Sequence, residues 1–313
     1  MRVWVGLGVL LWLATEGQGA GVSPRPPARA SAVWGDTFVT VDAAGQVLAF
    51  RQGRWQALPV AGAEGLAAFG ERLVVLRRGE LLELDGAGQV RGRRATPPGA
   101  LAVALHEHVT FLAVVTKPWH AGVVAWNHEG QKLWERTCSV PPNETENHLL
   151  TAGTAHDRLN LWVMQVVRVA YQGGAVWLLF PNRNLWVRVG PQSCEPVRWQ
   201  SPRWTADPEE RRWREAKMPG PLPTAHFLGA AAVPQGFVMV PFVSVPQWGN
   251  RGLANALLFV DGSGTLQRVV PLVRLGVKGF GGLASQGELL YLWDEEGGVY
   301  RWSFGELLAA AQP

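Results

Sequence analysis

The sequence is poor in the residues that most often betray a reaction. Of 313 residues only two are cysteine, Cys138 and Cys194, and they make neither a CxxC nor an adjacent pair. The usual signature of thiol–disulfide exchange is therefore missing. Charged residues make up 17% of the chain, with 29 Lys and Arg against 25 Asp and Glu. A formal charge of +4 over this length leaves no basic stripe of the kind a nucleic-acid partner requires. HExxH, GxSxG, the phosphate loop and GxGxxG are all absent. Beyond the amino end no run of about 18 apolar residues occurs, which excludes a helical membrane span there. Helical periodicity with caps is also scarce, confined to 207–217 and the neighbourhood of 304–311. An α/β fold would need many such crossover helices, so the short apolar runs read as an all-β protein. The hydrophobic class is 47% of the chain, enough to fill a large core and to exclude wholesale disorder.

The amino end reads as an address. Met1 and Arg2 precede the apolar Val3–Ala14, and the small, polar stretch from Thr15 to Gly21 follows. About 20 residues are needed to span a bilayer, so 1–20 is expected to be a secretory signal peptide, with a core strand or membrane anchor as the alternative. No cysteine follows the apolar run to carry a lipid. The chain is thus expected to be exported, to a periplasm or the cell surface. In that oxidising setting Cys138 and Cys194 are expected to form one disulfide, the alternative being two separate buried thiols. Residues 21–31, rich in Pro and Ala, read as an arm.

From 32 to 308 one scheme recurs: an apolar strand, a turn, a second strand, then two more. Four segments share a turn signature, at Asp42-Ala43-Ala44-Gly45, Asp85-Gly86-Ala87-Gly88, Asn127-His128-Glu129-Gly130 and Asp261-Gly262-Ser263-Gly264, with a weaker copy at Asp294–Gly297. Asp or Asn bonds its own downstream backbone, and Gly takes the positive-φ position of a tight hairpin. The first three copies are 42–43 residues apart. Units of about 42 residues with four short strands suit the blades of a β-propeller. Six blades are expected, at about 32–62, 66–98, 101–140, 148–190, 224–272 and 280–308, with seven as the alternative. The last blade shows three strands, followed by a helical carboxyl end and a tail at 309–313. Prolines 24, 26 and 27 make residues 21–31 a poor closing strand.

One stretch departs from the scheme. Residues 191–223 hold seven prolines, three tryptophans and a short helical pattern opened by Asp207 and Pro208. They are expected to form an insertion outside the blades. Tryptophan is unusually common, at 16 residues. Trp34, Trp126, Trp134, Trp162, Trp177, Trp186, Trp293 and Trp302 lie in strand patterns and are expected to pack between blades. Trp119, Trp199, Trp204, Trp213 and Trp248 lie in loops instead, and Arg203, Arg211, Arg212 and Arg214 accompany three of them. Aromatic and Arg side chains together favour a protein interface, and the aromatics would also stack on a glycan.

The segment Val124–Glu135 resembles the repeat of quinoprotein-like (pyrroloquinoline-quinone-like) propellers. Asn127, Gly130 and Trp134 stand where that family has Asp or Asn, Gly and Trp in the outer hairpin of each blade. The likeness covers roughly 32–140 and 250–304. It implies a propeller from a group that includes assembly scaffolds, sugar or alcohol dehydrogenases and non-catalytic members. The dehydrogenases carry a Ca²⁺ site, a catalytic aspartate and a vicinal disulfide, and no adjacent cysteine pair exists here.

Other chemistry has thin support. His106 and His108, with His120 or His128, would suit Zn²⁺ or Cu²⁺, but no supporting Cys, Asp or Glu spacing accompanies them. No cofactor, metal or catalytic residue is assigned. The expected function is an exported, non-catalytic propeller that binds an envelope protein, contacting it through Trp119, Trp199, Arg203, Trp204, Arg211, Arg212, Trp213, Arg214 and Trp248. The alternative is a sugar-processing or quinoprotein-like oxidoreductase acting in the central cavity.

Overall fold

The computed structural model describes residues 22, 24–25, 28–117, 119–142, 167–180, 185–198, 224–244 and 256–310, with backbone alone for 224–226 and 242–244. These residues form a six-bladed β-propeller. The first sheet is β1 (Ala30–Trp34), β2 (Thr37–Val41), β3 (Val47–Arg51) and β4 (Arg54–Ala57). The second is β5 (Ala63–Phe69), β6 (Arg72–Arg77), β7 (Glu80–Leu84) and β8 (Val90–Ala95). The third is β9 (Ala100–His106), β10 (Val109–Lys117), β11 (His120–Trp126) and β12 (Lys132–Ser139). The fourth is β13 (Arg168–Gln172), β14 (Ala175–Phe180), β15 (Leu185–Val189) and β16 (Cys194–Val197). The fifth is β17 (Thr224–Val233), β18 (Gly236–Ser244), β19 (Ala256–Asp261) and β20 (Leu266–Pro271). The sixth has three strands, β21 (Gly282–Gln286), β22 (Leu289–Trp293) and β23 (Val299–Ser303), followed by helix α1 (Phe304–Ala310). Every sheet is a simple antiparallel meander in chain order.

The nearly continuous apolar runs are explained by burial on both sides. Along β6, Leu73 and Val75 join Val39, Val41 and Leu66 in a cluster between blades 1 and 2. The alternate residues Val74 and Leu76 join Val103, Leu112 and Val124 between blades 2 and 3. Side chains of a strand alternate faces, so a sheet packed between two others needs apolar residues at every position. Four further clusters fill the remaining junctions, between blades 3 and 4, 4 and 5, 5 and 6, and 6 and 1. Six clusters at six junctions make a closed ring.

Closure uses side chains in place of a shared strand. Trp293, Tyr291 and Ala284 of blade 6 pack on Val33, Phe38, Leu48 and Trp55 of blade 1. Trp55 meets Trp293 edge-to-face at 5.7 Å and Phe38 at 6.1 Å. Trp55 Nε1 also donates to Gly297 O at 2.9 Å. The arm contributes one backbone bond to this junction, from Ala28 N to Gly281 O at 2.6 Å. Where a fourth strand of blade 6 would begin, Ser303 and Glu306 start α1 instead. Glu306 Oε2 accepts from Ser303 N at 2.7 Å and Ser303 Oγ accepts from Glu306 N at 3.2 Å, a reciprocal capping box. Leu307 then buries fully against blades 5 and 6.

Three boundaries differ from the sequence reading. The fourth sheet runs from Arg168 to Val197, later than 148–190. Its outer strand, Cys194–Val197, falls inside the stretch read as an insertion, and residues 148–166 lie outside the described residues. Pro196 lies within that strand, since an outermost strand has one unpaired edge and tolerates proline. The Asp/Asn-Gly turn does not hold one place in each blade. It joins the third and fourth strands in blades 2, 3 and 5 but the second and third in blades 1 and 6. First strands begin at Ala30, Ala63 and Ala100, closer together than the turns suggested.

The two kinds of turn differ energetically. Asp42 is 2% exposed, and its carboxylate accepts from Ala44 N and Gln46 N, both at 2.9 Å, and from Arg25 N at 3.3 Å. Asp85 makes the matching bonds to Ala87 N and Gln89 N beside solvent. Truncating Asp42 leaves a buried site with three part-buried donors to satisfy, whereas water replaces Asp85. Asp42→Ala is expected to cost about 1–3 kcal/mol and Asp85→Ala about 0.5–1.5 kcal/mol, read from urea unfolding.

Candidate binding face

Strand alternation assigns every connection to one of two faces. Turns between first and second strands, and between third and fourth, open on one face. Those between second and third strands, and the crossings to the next blade, open on the other.

The first face is closed by short hairpins that grip one another. Gly35 N donates to Gly70 O at 2.9 Å, and Trp34 Nε1 to Glu71 O at 2.9 Å, from blade 1 to blade 2. Arg72 Nη1 reaches Glu107 O at 3.0 Å, from blade 2 to blade 3. His106 stacks on Tyr171 at 3.8 Å between blades 3 and 4. Gln172 Nε2 donates to Val233 O and Pro234 O, at 3.3 and 3.2 Å, between blades 4 and 5. Ser285 Oγ donates to Ala232 O, between blades 5 and 6. Gln286 Nε2 donates to Gly35 O at 3.0 Å, completing the circuit from blade 6 to blade 1.

The crossing face holds the long connections. The chain leaves it after Ser139 and returns at Arg168, leaves after Val197 and returns at Thr224, and leaves after Ser244 and returns at Ala256. Trp199, Arg203, Trp204, Arg211, Arg212, Trp213, Arg214 and Trp248 belong to the last two of these connections and lie outside the described residues. Trp119 is described. It is half-buried in the β10–β11 turn, with φ of 63°, and its carbonyl accepts from Val140 N at 2.7 Å. Every residue read as a contact therefore belongs to a connection that starts and ends on this face.

One further feature bounds this side of the ring, and a disulfide ties outer strands of two neighbouring blades. Asp294, 1% exposed, accepts from Gly298 N at 2.9 Å and from Tyr300 Oη at 2.8 Å. Burial and then the Asp294 carboxylate push the Tyr300 phenol up to about 12. Cys138 of β12 and Cys194 of β16 are joined by a disulfide, tying the outer strands of blades 3 and 4.

The channel itself is chemically sparse. Its innermost strands are β1, β5, β9, β13, β17 and β21, which neighbour one another in that order. Among them the sequence places one carboxylate, Glu64, and two basic side chains, Arg168 and His226, besides His106 at the rim. Arg168 Nη2 donates to Leu228 O at 2.8 Å, and burial lowers its guanidinium to about 10, so it stays charged at neutral pH. Its sequence setting, within a long apolar run, gave no hint of this link between blades 4 and 5. Among the described residues no three His, Cys, Asp or Glu side chains come together to hold a metal, and no helix is long and apolar enough to cross a membrane.

No protein-family model and no curated protein matches the chain. Solved structures do. The WD40 domain of Pan2 from Neurospora crassa superposes with a TM-score of 0.50 at 8% identity, covering 88% of this chain and 75% of that one. A protein of unknown function from Bacteroides caccae gives 0.46 at 10% identity, covering 88% and 89%. BamB from Moraxella catarrhalis gives 0.42 at 9%, covering 88% and 83%. At these identities the likeness concerns the fold.

Proposed function

We propose that this chain is an exported, non-catalytic propeller that holds a protein partner in the cell envelope on its crossing face, and that its repeats are of the quinoprotein-like type. The observation that carries the reading is the strand alternation, which assigns all the loop Trp and Arg candidates to connections of one face. Large aromatics beside Arg are the side chains that dominate protein interfaces. The disulfide and the amino-terminal pattern support export. The inner strands carry one carboxylate, Glu64, so they offer no acidic pair for hydrolysis, which supports the binding reading.

The test is a pulldown from envelope extract. The deletion must begin after Arg198, because removing 191–198 would also remove β16 and Cys194. Residues 199–223 are replaced by a crossing of the length found at Leu58–Gly62 between blades 1 and 2. Partner recovery is expected to fall about tenfold or more, with the unfolding midpoint unchanged. A Trp204→Ala, Arg212→Ala, Trp213→Ala triple variant is expected to show a partial loss. Equal recovery by the wild type and the deletion variant contradicts the proposal.

A further inference from the structure

Blade 3 carries four histidines, and the fold separates them into different settings. His120 opens β11 at the crossing face, while His106 is stacked on Tyr171. His108 and His128 meet on the opposite, short-turn face. The β10–β11 ladder ends with Thr110 opposite Trp126. Extending that antiparallel register by two residues sets His108, in the β9–β10 turn, directly across from His128, in the β11–β12 hairpin. Their ring centroids are 5.9 Å apart, with planes 59° to one another.

That separation suits one shared ion. A Zn–N bond is about 2.1 Å, which sets an ion about 3.2 Å from the centre of each ligating imidazole. Two rings on one ion then have centroids about 5 Å apart at a tetrahedral angle and about 6 Å apart as the angle opens. The backbone that presents the rings is already held. Asn127 Oδ1 accepts from Gln131 N at 2.8 Å, and Gly130 N donates to Asn127 O at 3.0 Å. Arg94 Nη2 donates to His128 O at 3.3 Å and its guanidinium lies over Trp126 at 5.8 Å. Glu107, in the left-handed region with φ of 48°, fixes the turn before His108.

The surrounding charges are mixed. Glu129 Oε1 lies 3.9 Å from His128 Nε2, and Glu107 adjoins His108. Arg94 opposes a cation, but it packs behind the hairpin against Gly130 and is engaged by the His128 carbonyl. The geometry points to chelation of one divalent transition-metal ion by His108 and His128, with the other positions left to water or to a partner's side chain. Imidazole ligands select Cu²⁺, Ni²⁺ and Zn²⁺ over Ca²⁺ and Mg²⁺, and Cu²⁺ binds tightest in that series. Two protein ligands on an exposed turn make an exchangeable site; a structural zinc is closed by four.

Calorimetric titration of the full mature chain with Cu²⁺, Zn²⁺ and Ca²⁺ tests this, together with EPR of the Cu²⁺ complex. His108→Ala and His128→Ala are each expected to weaken Cu²⁺ at this site by about tenfold or more, without moving the unfolding midpoint, because both side chains are exposed. EPR should show two imidazole nitrogens in the wild type and one in each variant, and Ca²⁺ should give no heat. Identical Cu²⁺ isotherms and spectra for the wild type and the His108→Ala, His128→Ala double variant would overturn the assignment. A wild-type spectrum with a single nitrogen ligand would do the same.

Discussion

Trp293→Ala is expected to destabilise the protein by about 3–5 kcal/mol, the upper range for truncating one core side chain. Trp293 is 0% exposed and sits where the last blade meets the first. Its ring lies against the bare backbone of Gly281 and Gly282, where an added Cβ would have no room. Backbone cannot collapse into the space a lost indole leaves, so a cavity persists and its cost adds to the lost transfer energy. Trp55 and Tyr291 would lose their packing partner in the same step. Trp293→Phe should cost less, since among the described residues no acceptor pairs with the indole N–H. Urea denaturation followed by circular dichroism measures both. A loss under about 1 kcal/mol for the alanine variant would mean that this junction does not hold the ring.

Removal of the disulfide is the second large effect. Cys138 and Cys194 are 56 residues apart in sequence. Chain entropy predicts about 4 kcal/mol from closing a loop of that length in the unfolded chain. The folded side should reinforce this, because Cys138 is buried in the cluster between blades 3 and 4. The loop it closes contains the long connection whose described ends are Pro142 and Val167. The Cys138→Ala, Cys194→Ala double variant, compared with the oxidised wild type, should lose about 3–5 kcal/mol in urea. The reduced wild type should behave like the variant. Equal stability with and without reductant would show that the link is not formed in solution.

Much of this architecture could be read from the sequence, and the misreadings have physical causes. The six units, the three-stranded last blade and the carboxyl-terminal helix were legible because short apolar runs, Asx-Gly turns and helical periodicity are local signals. The start of the fourth blade was not. Apolar residues run with few breaks from Leu159 to Ala170, and periodicity does not mark where pairing begins in such a run. Asp42 and Asp85 look alike in sequence, yet one turn is buried against the arm and the other is solvated; that difference arises only when blades assemble. Trp55's role in closure depends on contact with a residue 242 positions away, which no local pattern signals. Among the histidines, His108 and His128 stood in a group of four. Strand register singles them out, and register is a tertiary property.

The two faces exist as opposite sides of one ring only if side chains close it between blade 6 and blade 1. A double-mutant cycle on Trp55 and Trp293 tests that contact directly. The single variants Trp55→Ala and Trp293→Ala and the double variant are unfolded in urea under one set of conditions. Residues in contact should show a coupling of about 0.5–3 kcal/mol, with the double variant less destabilised than the sum of the singles. Additivity within about 0.3 kcal/mol would place the two tryptophans apart in the folded protein and contradict the closed ring.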